Sequence, residues 1–219
     1  MKQDNLLLNY EFLKKCNLAT VSKTDDKLVL RGVCIQDRKE KDNCYRYYIG
    51  CDGSMLVGYK LKINECQINE IILNLHDFKI TKEKEKQIND NQNLLLLEKV
   101  KDSKIRFTTS FGNIFAIDGI YPNYLHLFAK KYKIADKFVS ISLQKHTILN
   151  KFWKNNSITD NKLSLFEKTY FINSDVKDET KVPLFNFEKV NDKILKFSLV
   201  MPIYSVIDFD LKELKKFDF

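Results

Sequence analysis

The sequence predicts an α+β fold in which antiparallel sheets carry helices on one face. Three observations lead there. Strand-like segments come in consecutive groups, amphipathic helical segments separate the groups, and the grouping repeats along the chain. A doubly wound α/β sheet would instead alternate single strands with single helices. No G-x-G-x-x-G and no Walker pattern occurs, so no nucleotide site is expected. Of the 219 residues, 44% are hydrophobic and 12% aromatic, enough apolar material for a true core in one large domain or two moderate ones. The chain as a whole is therefore not disordered. With only 6 Gly and 3 Pro, it is neither collagen-like nor of low complexity.

Taken in order, residues 5–21 (NLLLNYEFLKKCNLATV) place Leu8, Phe12, Leu13 and Cys16 at helical spacing, with Lys14 and Lys15 at the edge of that stripe. Residues 28–37 and 44–51 are rich in β-branched and aromatic residues and read as strands joined by the charged turn DRKEKDN. A third strand, 54–63, leaves the turn at Asp52-Gly53. Residues 69–80 are ambiguous between strand and helix. The polar run 81–93 (TKEKEKQINDNQN) reads as an exposed loop. Three more strands follow, in NLLLLEKV, SKIRFTTSF and NIFAIDG.

The basic segment 130–137 (KKYKIADK) reads as a linker, and 138–142 as a short strand. Residues 143–155 form the clearest helix, with Leu143, Ile148, Leu149 and Phe152 as its apolar stripe and Lys145, Lys151 and Lys154 largely off it. Strands are expected over 162–173, 182–190 and 193–204. The tail DLKELKKFDF reads as a short helix.

The formal net charge is +8 with a pI near 9.1, a long-range attraction for polyanions such as nucleic acid or acidic lipid. The Lys-, Asn- and Ile-rich usage typical of an A/T-rich genome gives a second account of the same excess. Five cysteines, at 16, 34, 44, 51 and 66, form no C-x-x-C and follow no signal peptide, so reduced thiols in a cytoplasmic protein are expected. His76, His126 and His146 are not at metal-ligand spacing, and neither metal nor cofactor is expected. No apolar run approaches the ~18 residues that a membrane span needs.

Asp52 and Asp118 raise the possibility of paired carboxylates for metal binding or acid–base work, as in a nuclease. Each precedes Gly in a turn, where Asp is favoured for bonding nearby backbone N–H groups, and no acid cluster or His pairing accompanies them. The expectation is a protein that is not an enzyme. Trp153, the single tryptophan, is suited to stacking on a base or to packing against a sheet.

Three segments resemble, in order, those of the bacterial DNA polymerase III β sliding clamps. LRGVCIQ…YYIGCDGSMLVGYKLKI resembles the clamp strand beginning L-x-G-V followed by A-T-D-G-H-R-L-A. FAIDGIYPNYLHLFA resembles I-D-G-x-F-P-D-Y-x-x-V-x-P, and LVMPIY resembles the terminal x-M-P-M-R. The resemblance implies DNA-clamp-like domains: residues 1–130 as the middle domain of a clamp and 131–219 as a shortened last domain, with a domain lacking at the N-terminus and no counterpart of the first domain's second helix. The chain departs from the pattern at Ser54-Met55 (His-Arg in the family), at Ala129 (Pro) and at Tyr204 (Arg).

The function implied is that of a processivity factor, a ring that encircles double-stranded DNA without covalent chemistry. Lys14, Lys15, Lys145, Lys151 and Lys154, on the two predicted helices, would meet phosphates without reading bases. A groove for short hydrophobic peptides of a DNA polymerase or clamp loader would involve Cys51, Gly53, Ser54, Leu56, Ala129, Val200, Met201, Pro202 and Ile203. A six-domain ring would need a homo-oligomer of such chains, most simply a trimer. The alternative is a clamp-like interaction protein that forms no ring and binds clamp partners or a host clamp, thereby modulating replication.

Overall fold

A computed structural model describes residues 5–124, 131–135, 143–153, 170–173, 184–200 and 212–216. Its strands form one antiparallel sheet of 13. The first unit comprises β1 (Asn5–Asn9), α1 (Tyr10–Asn17), β2 (Val33–Glu40), β3 (Asn43–Cys51) and β4 (Met55–Ile63). The second repeats that order with β5 (Ile71–Asn74), α2 (Lys82–Asp90), β6 (Leu94–Lys99), β7 (Arg106–Thr109) and β8 (Gly112–Ala116). The third repeats it again with β9 (Lys131–Ala135), α3 (Leu143–Trp153), β10 (Tyr170–Asn173), β11 (Leu184–Asn191) and β12 (Ile194–Val200), and β13 (Lys212–Lys216) follows.

The strand order is β1-β6-β7-β8-β5-β2-β3-β4-β12-β11-β10-β9-β13. The first two units exchange their leading strands, so that β1 pairs with β6 and β5 with β2. The sheet then crosses into the third unit through β4 and β12, in register from Met55↔Val200 to Leu61↔Ile194.

The period of two along each strand divides the core into two layers. On one face, Val33, Ile35, Tyr48, Val57, Tyr59, Leu73, Leu97 and Ile114 pack with Leu13 and Cys16 of α1, Ile88 of α2, and Leu149 and Phe152 of α3. On the other, Cys34, Tyr47, Ile49, Leu56, Phe185, Phe197 and Leu199 are covered by two irregular segments, which contribute Val21 with Leu30 and Tyr121 with Tyr124. The helices thus lie on one face, as the sequence predicts. Burying a side chain such as Leu13 fully contributes about 1.5–3 kcal/mol.

Several boundaries differ from the sequence reading. The N-terminal segment is strand before it is helix. Asn9 caps α1 by accepting the Phe12 N–H at 3.0 Å, and Leu8 is buried in the sheet. Residues 28–31 form a short 3₁₀ turn, and β2 begins only at Val33. The charged turn shrinks to Lys41 and Asp42: β2 and β3 pair out to Glu40↔Asn43, with Lys41 at φ 53. Within the ambiguous segment 69–80, Ile71–Asn74 is strand. The run taken as a loop holds α2, capped by Thr81 and anchored by Ile88, 1% exposed, so the helix thought to have no counterpart is present. The supposed linker contains β9, and the tail contains a strand, β13, not a helix. The strand expected at 138–142 lies outside the described residues.

Candidate nucleic-acid interface and peptide groove

The helix-bearing face is assembled by aromatic packing. The Phe12 ring stacks on Tyr59 at 4.1 Å and meets Tyr48 edge-on at 5.5 Å; Tyr59 meets Phe152 of α3 at 5.4 Å. α1 approaches β3 so closely that a Cβ on Gly50 would lie 1.8 Å from the Cys16 carbonyl oxygen, so only glycine fits there. α1 lies between the other two helices. On one side Lys14 forms an ion pair with Glu85 of α2. On the other the Lys15 ammonium donates to the Lys151 carbonyl of α3 at 3.1 Å.

These contacts assign different environments to the candidate lysines. Lys14 is exposed, but its charge is shared with Glu85. Lys15 is half-buried, and loss of solvent holds its ammonium below the ordinary lysine value; Glu11 opposes that shift and Lys14 adds to it. Lys151 is exposed on α3. The side chain of Lys145 and the whole of Lys154 lie outside the described residues. α2 carries three lysines against two glutamates and one aspartate, so it adds no net charge to this face.

Trp153 is 7% exposed, and its Nε1–H donates to Ser198 Oγ of β12 at 3.1 Å. The Lys196 ammonium sits 4.9 Å from the Trp153 ring and 5.0 Å from that of Phe152. Trp153 therefore packs against the sheet, the second of the two uses its sequence position allowed.

On the opposite face, the turn between β3 and β4 begins the candidate groove. Asp52 Oδ1 accepts the N–H groups of Ser54 and Met55, both at 2.7 Å, and the Ser54 hydroxyl at 2.9 Å. Its carboxylate is thus occupied in forming the turn. Gly53 takes φ 92, which favours glycine, and its N–H donates to Cys51 Sγ at 3.2 Å. Burial pushes the Cys51 thiol up. Leu56, 2% exposed, joins the outer layer, with Cys51 packed against it. Asp118 lies in the second covering segment, and among the described residues no cluster of His, Cys, Asp and Glu is placed to hold a metal.

Cys51, Gly53, Ser54 and Leu56 are therefore brought together at the end of β4. Val200 reaches the same end of the ladder, but its side chain packs in the helix-side layer with Met55. The residue of β12 that faces the groove side is Leu199, directly opposite Leu56 and 3% exposed. The sequence reading passed over Leu199, although strict alternation from Phe197 would have placed it. Tyr121, Leu30 and Phe185 complete this layer. Ala129, Met201, Pro202 and Ile203 lie outside the described residues.

No protein-family model matches the chain, and no curated protein matches it. Solved structures do. The DNA polymerase III β subunit of Caulobacter crescentus aligns with a TM-score of 0.58 at 11% identity over 93% of this chain and 67% of its own. The β subunit of Thermotoga maritima aligns with a TM-score of 0.54 at 12% identity, over 94% of this chain and 66% of its own. A sliding clamp from Bartonella birtlesii, solved bound to griselimycin, aligns with a TM-score of 0.55 at 11% identity, over 94% of this chain and 67% of its own. The chain spans about two thirds of the length of these proteins. Among the described residues no helix is long and apolar enough to cross a membrane. In architecture, this chain is an antiparallel α+β protein with the fold of the bacterial DNA polymerase III β sliding clamps.

Proposed function

We propose that the chain is a DNA sliding clamp, with residues 1–130 and 131–219 as two clamp-like domains and several copies closing a ring around duplex DNA. One observation carries the reading: α1, α2 and α3 lie on one face of a sheet that runs unbroken between the units, while the turn at Asp52 and the apolar residues around Leu56 lie on the other. A surface for DNA and a surface for partners are thereby separated by the thickness of the sheet. The protein would hold phosphates through Lys15, Lys151 and the other helix lysines and dock apolar peptides of a polymerase or loader at the turn between β3 and β4, beside the partly exposed Cys51 and Ser54. It would catalyse nothing.

Light scattering tests the ring, with and without nicked circular DNA. A ring of three copies has about three times the mass of the 25.9 kDa chain. It stays on circular DNA at salt that strips it from linear DNA, because linear ends let a ring slide off. A monomer at micromolar concentration with no retention on circles would exclude the ring.

The pairing of Lys14 with Glu85 and the absence of net charge on α2 favour a second reading, a clamp-like protein that docks partners without encircling DNA. Recovery of polymerase or loader subunits by a DNA-free preparation of the monomer, lost on Ser54→Arg at the partly exposed turn, would favour it over the ring.

A further inference from the structure

The five cysteines divide into two sets. Cys16 and Cys34 are fully buried, one in each layer of the core, and burial drives their thiols far above the ordinary range. Cys51 is partly exposed beside the candidate groove. Cys44 and Cys66 are partly exposed.

Their positions are fixed by backbone that holds the chain on both sides of Cys66. β4 ends at Ile63, directly opposite Cys44. The chain then crosses to β2, where Asp37 Oδ2 accepts the N–H groups of Gln67 at 2.8 Å and Ile68 at 2.9 Å. The Ile68 carbonyl in turn accepts the Asp37 N–H at 2.7 Å. Asp37 itself is locked to Arg46, two residues beyond Cys44 on β3. Between these anchors Cys66 is held beside Cys44, close enough for the two thiols to influence each other. Loss of solvent, first, and this neighbour, second, push Cys66 up to about 11.

We propose that Cys44 and Cys66 form a reversible dithiol–disulfide couple, a modification site for a disulfide oxidant of the glutathione class. Neighbouring thiols must close to the S–S bond length of about 2 Å, a shift that the chain at residues 64–66, exposed at Asn64 and Glu65, can supply. The Cys44 thiolate attacks one sulfur of glutathione disulfide. That S–S bond breaks, and the first glutathione leaves as a thiolate that takes up a proton. Cys66 then loses its proton, attacks the Cys44 sulfur and expels the second glutathione. Two protein thiols are oxidised and one glutathione disulfide is reduced to two glutathiones. Exposed pairs of this kind in a reducing compartment are responsive, not permanent.

The test incubates the folded, full-length chain with glutathione disulfide, alkylates the remaining thiols after denaturation, and maps the peptides by mass spectrometry. The expected result is a fall from five free thiols to three, with a single cross-link joining Cys44 to Cys66. Dithiothreitol restores all five, and Cys44→Ser or Cys66→Ser traps a mixed glutathione disulfide on the remaining partner. Five free thiols at saturating oxidant would overturn the proposal. So would a cross-link between any other pair, or covalent dimers through either residue. The wild-type measurement stands even if a serine variant folds poorly.

Discussion

Lys14 of α1 and Glu85 of α2 form an ion pair across the helix-bearing face, with the lysine more than half exposed and the glutamate about a quarter exposed. An exposed pair of this kind contributes only about 0–1 kcal/mol to stability, so its larger effect is on the field above the helices. If that face meets DNA, Glu85→Gln should tighten binding and steepen its dependence on salt by about one unit in the log–log slope. Lys151→Gln should weaken binding and reduce the slope by a similar amount, because Lys151 is exposed on the neighbouring helix. Fluorescence anisotropy with labelled duplex over a salt series measures both. Equal affinities for wild type and both variants would place DNA elsewhere.

The helix that provides Glu85 shows what periodicity leaves illegible. α2 is almost wholly polar, and Ile88 is its only buried residue. With one apolar contact there is no stripe to detect, and a run of Lys and Glu reads equally as a solvated loop. The legible signals were the Thr81 cap and strong helix formers after it. At the N-terminus the opposite error arose. Leu8 falls in phase with Phe12 and Cys16 by chance, while Asn9 marks the true start of α1. β9 was missed because its sequence, KYKIA, alternates basic and apolar residues, and the lysines drew the reading towards a linker.

The Asp37–Arg46 pair is expected to be the most sensitive polar contact in the first unit. Arg46 Nε and Nη2 donate to the two carboxylate oxygens at 2.7 and 2.9 Å, and Nη1 donates to the Leu7 carbonyl of β1 at 3.0 Å. Asp37 also holds the Gln67 and Ile68 amides. Removing one partner leaves a buried charge without compensation, so Asp37→Ala should cost about 3–5 kcal/mol in urea unfolding. The double variant Asp37→Ala with Arg46→Met should lose less than the sum of the single losses, because neither charge is then stranded.

Alkaline pH should destabilise the protein through its tyrosines. Burial pushes the phenols of Tyr47, Tyr48, Tyr59, Tyr121 and Tyr124 above 10.0, and burial with the Glu85 charge pushes Tyr10 up to about 12. A raised phenol keeps its proton in the folded chain when the unfolded chain has already lost it. This stability is therefore complete below the unfolded value near 10 and is lost as pH rises through the folded values; the share of Tyr10 is lost between 10 and about 12. Tyrosine ionisation followed by absorbance should lag in the native protein and rise together with loss of the circular-dichroism signal. Ionisation of all tyrosines near 10 with the fold intact would contradict this burial.

The candidate site was legible where the chain turns tightly and illegible where it depends on facing. Asp52-Gly53 and Asp118-Gly119 identify themselves locally, because only certain residues take those turns. That Leu199 instead of Val200 meets Leu56 depends on strand register, since one step along β12 reverses the face. The terminal groove residues from Met201 to Ile203 lie beyond what the described strands can place.

Tyr121 gives the most direct test of the outer layer. It is 4% exposed, and its hydroxyl is buried with no hydrogen-bond partner among the described residues. Its backbone N–H is satisfied by Glu70 at 3.0 Å, so the cost falls on the phenol alone. A buried hydroxyl without a partner costs about 1–3 kcal/mol, and the clamp pattern I-D-G-x-F-P-D-Y has phenylalanine where this chain has Tyr121. Tyr121→Phe should therefore be neutral or stabilise the fold by about 1 kcal/mol in urea unfolding. Tyr121→Ala should cost about 3–5 kcal/mol by leaving a cavity between the covering segment and Cys51. If Tyr121→Phe instead loses a kilocalorie or more, the hydroxyl has a partner, and the covering segment sits differently against β3 and β4.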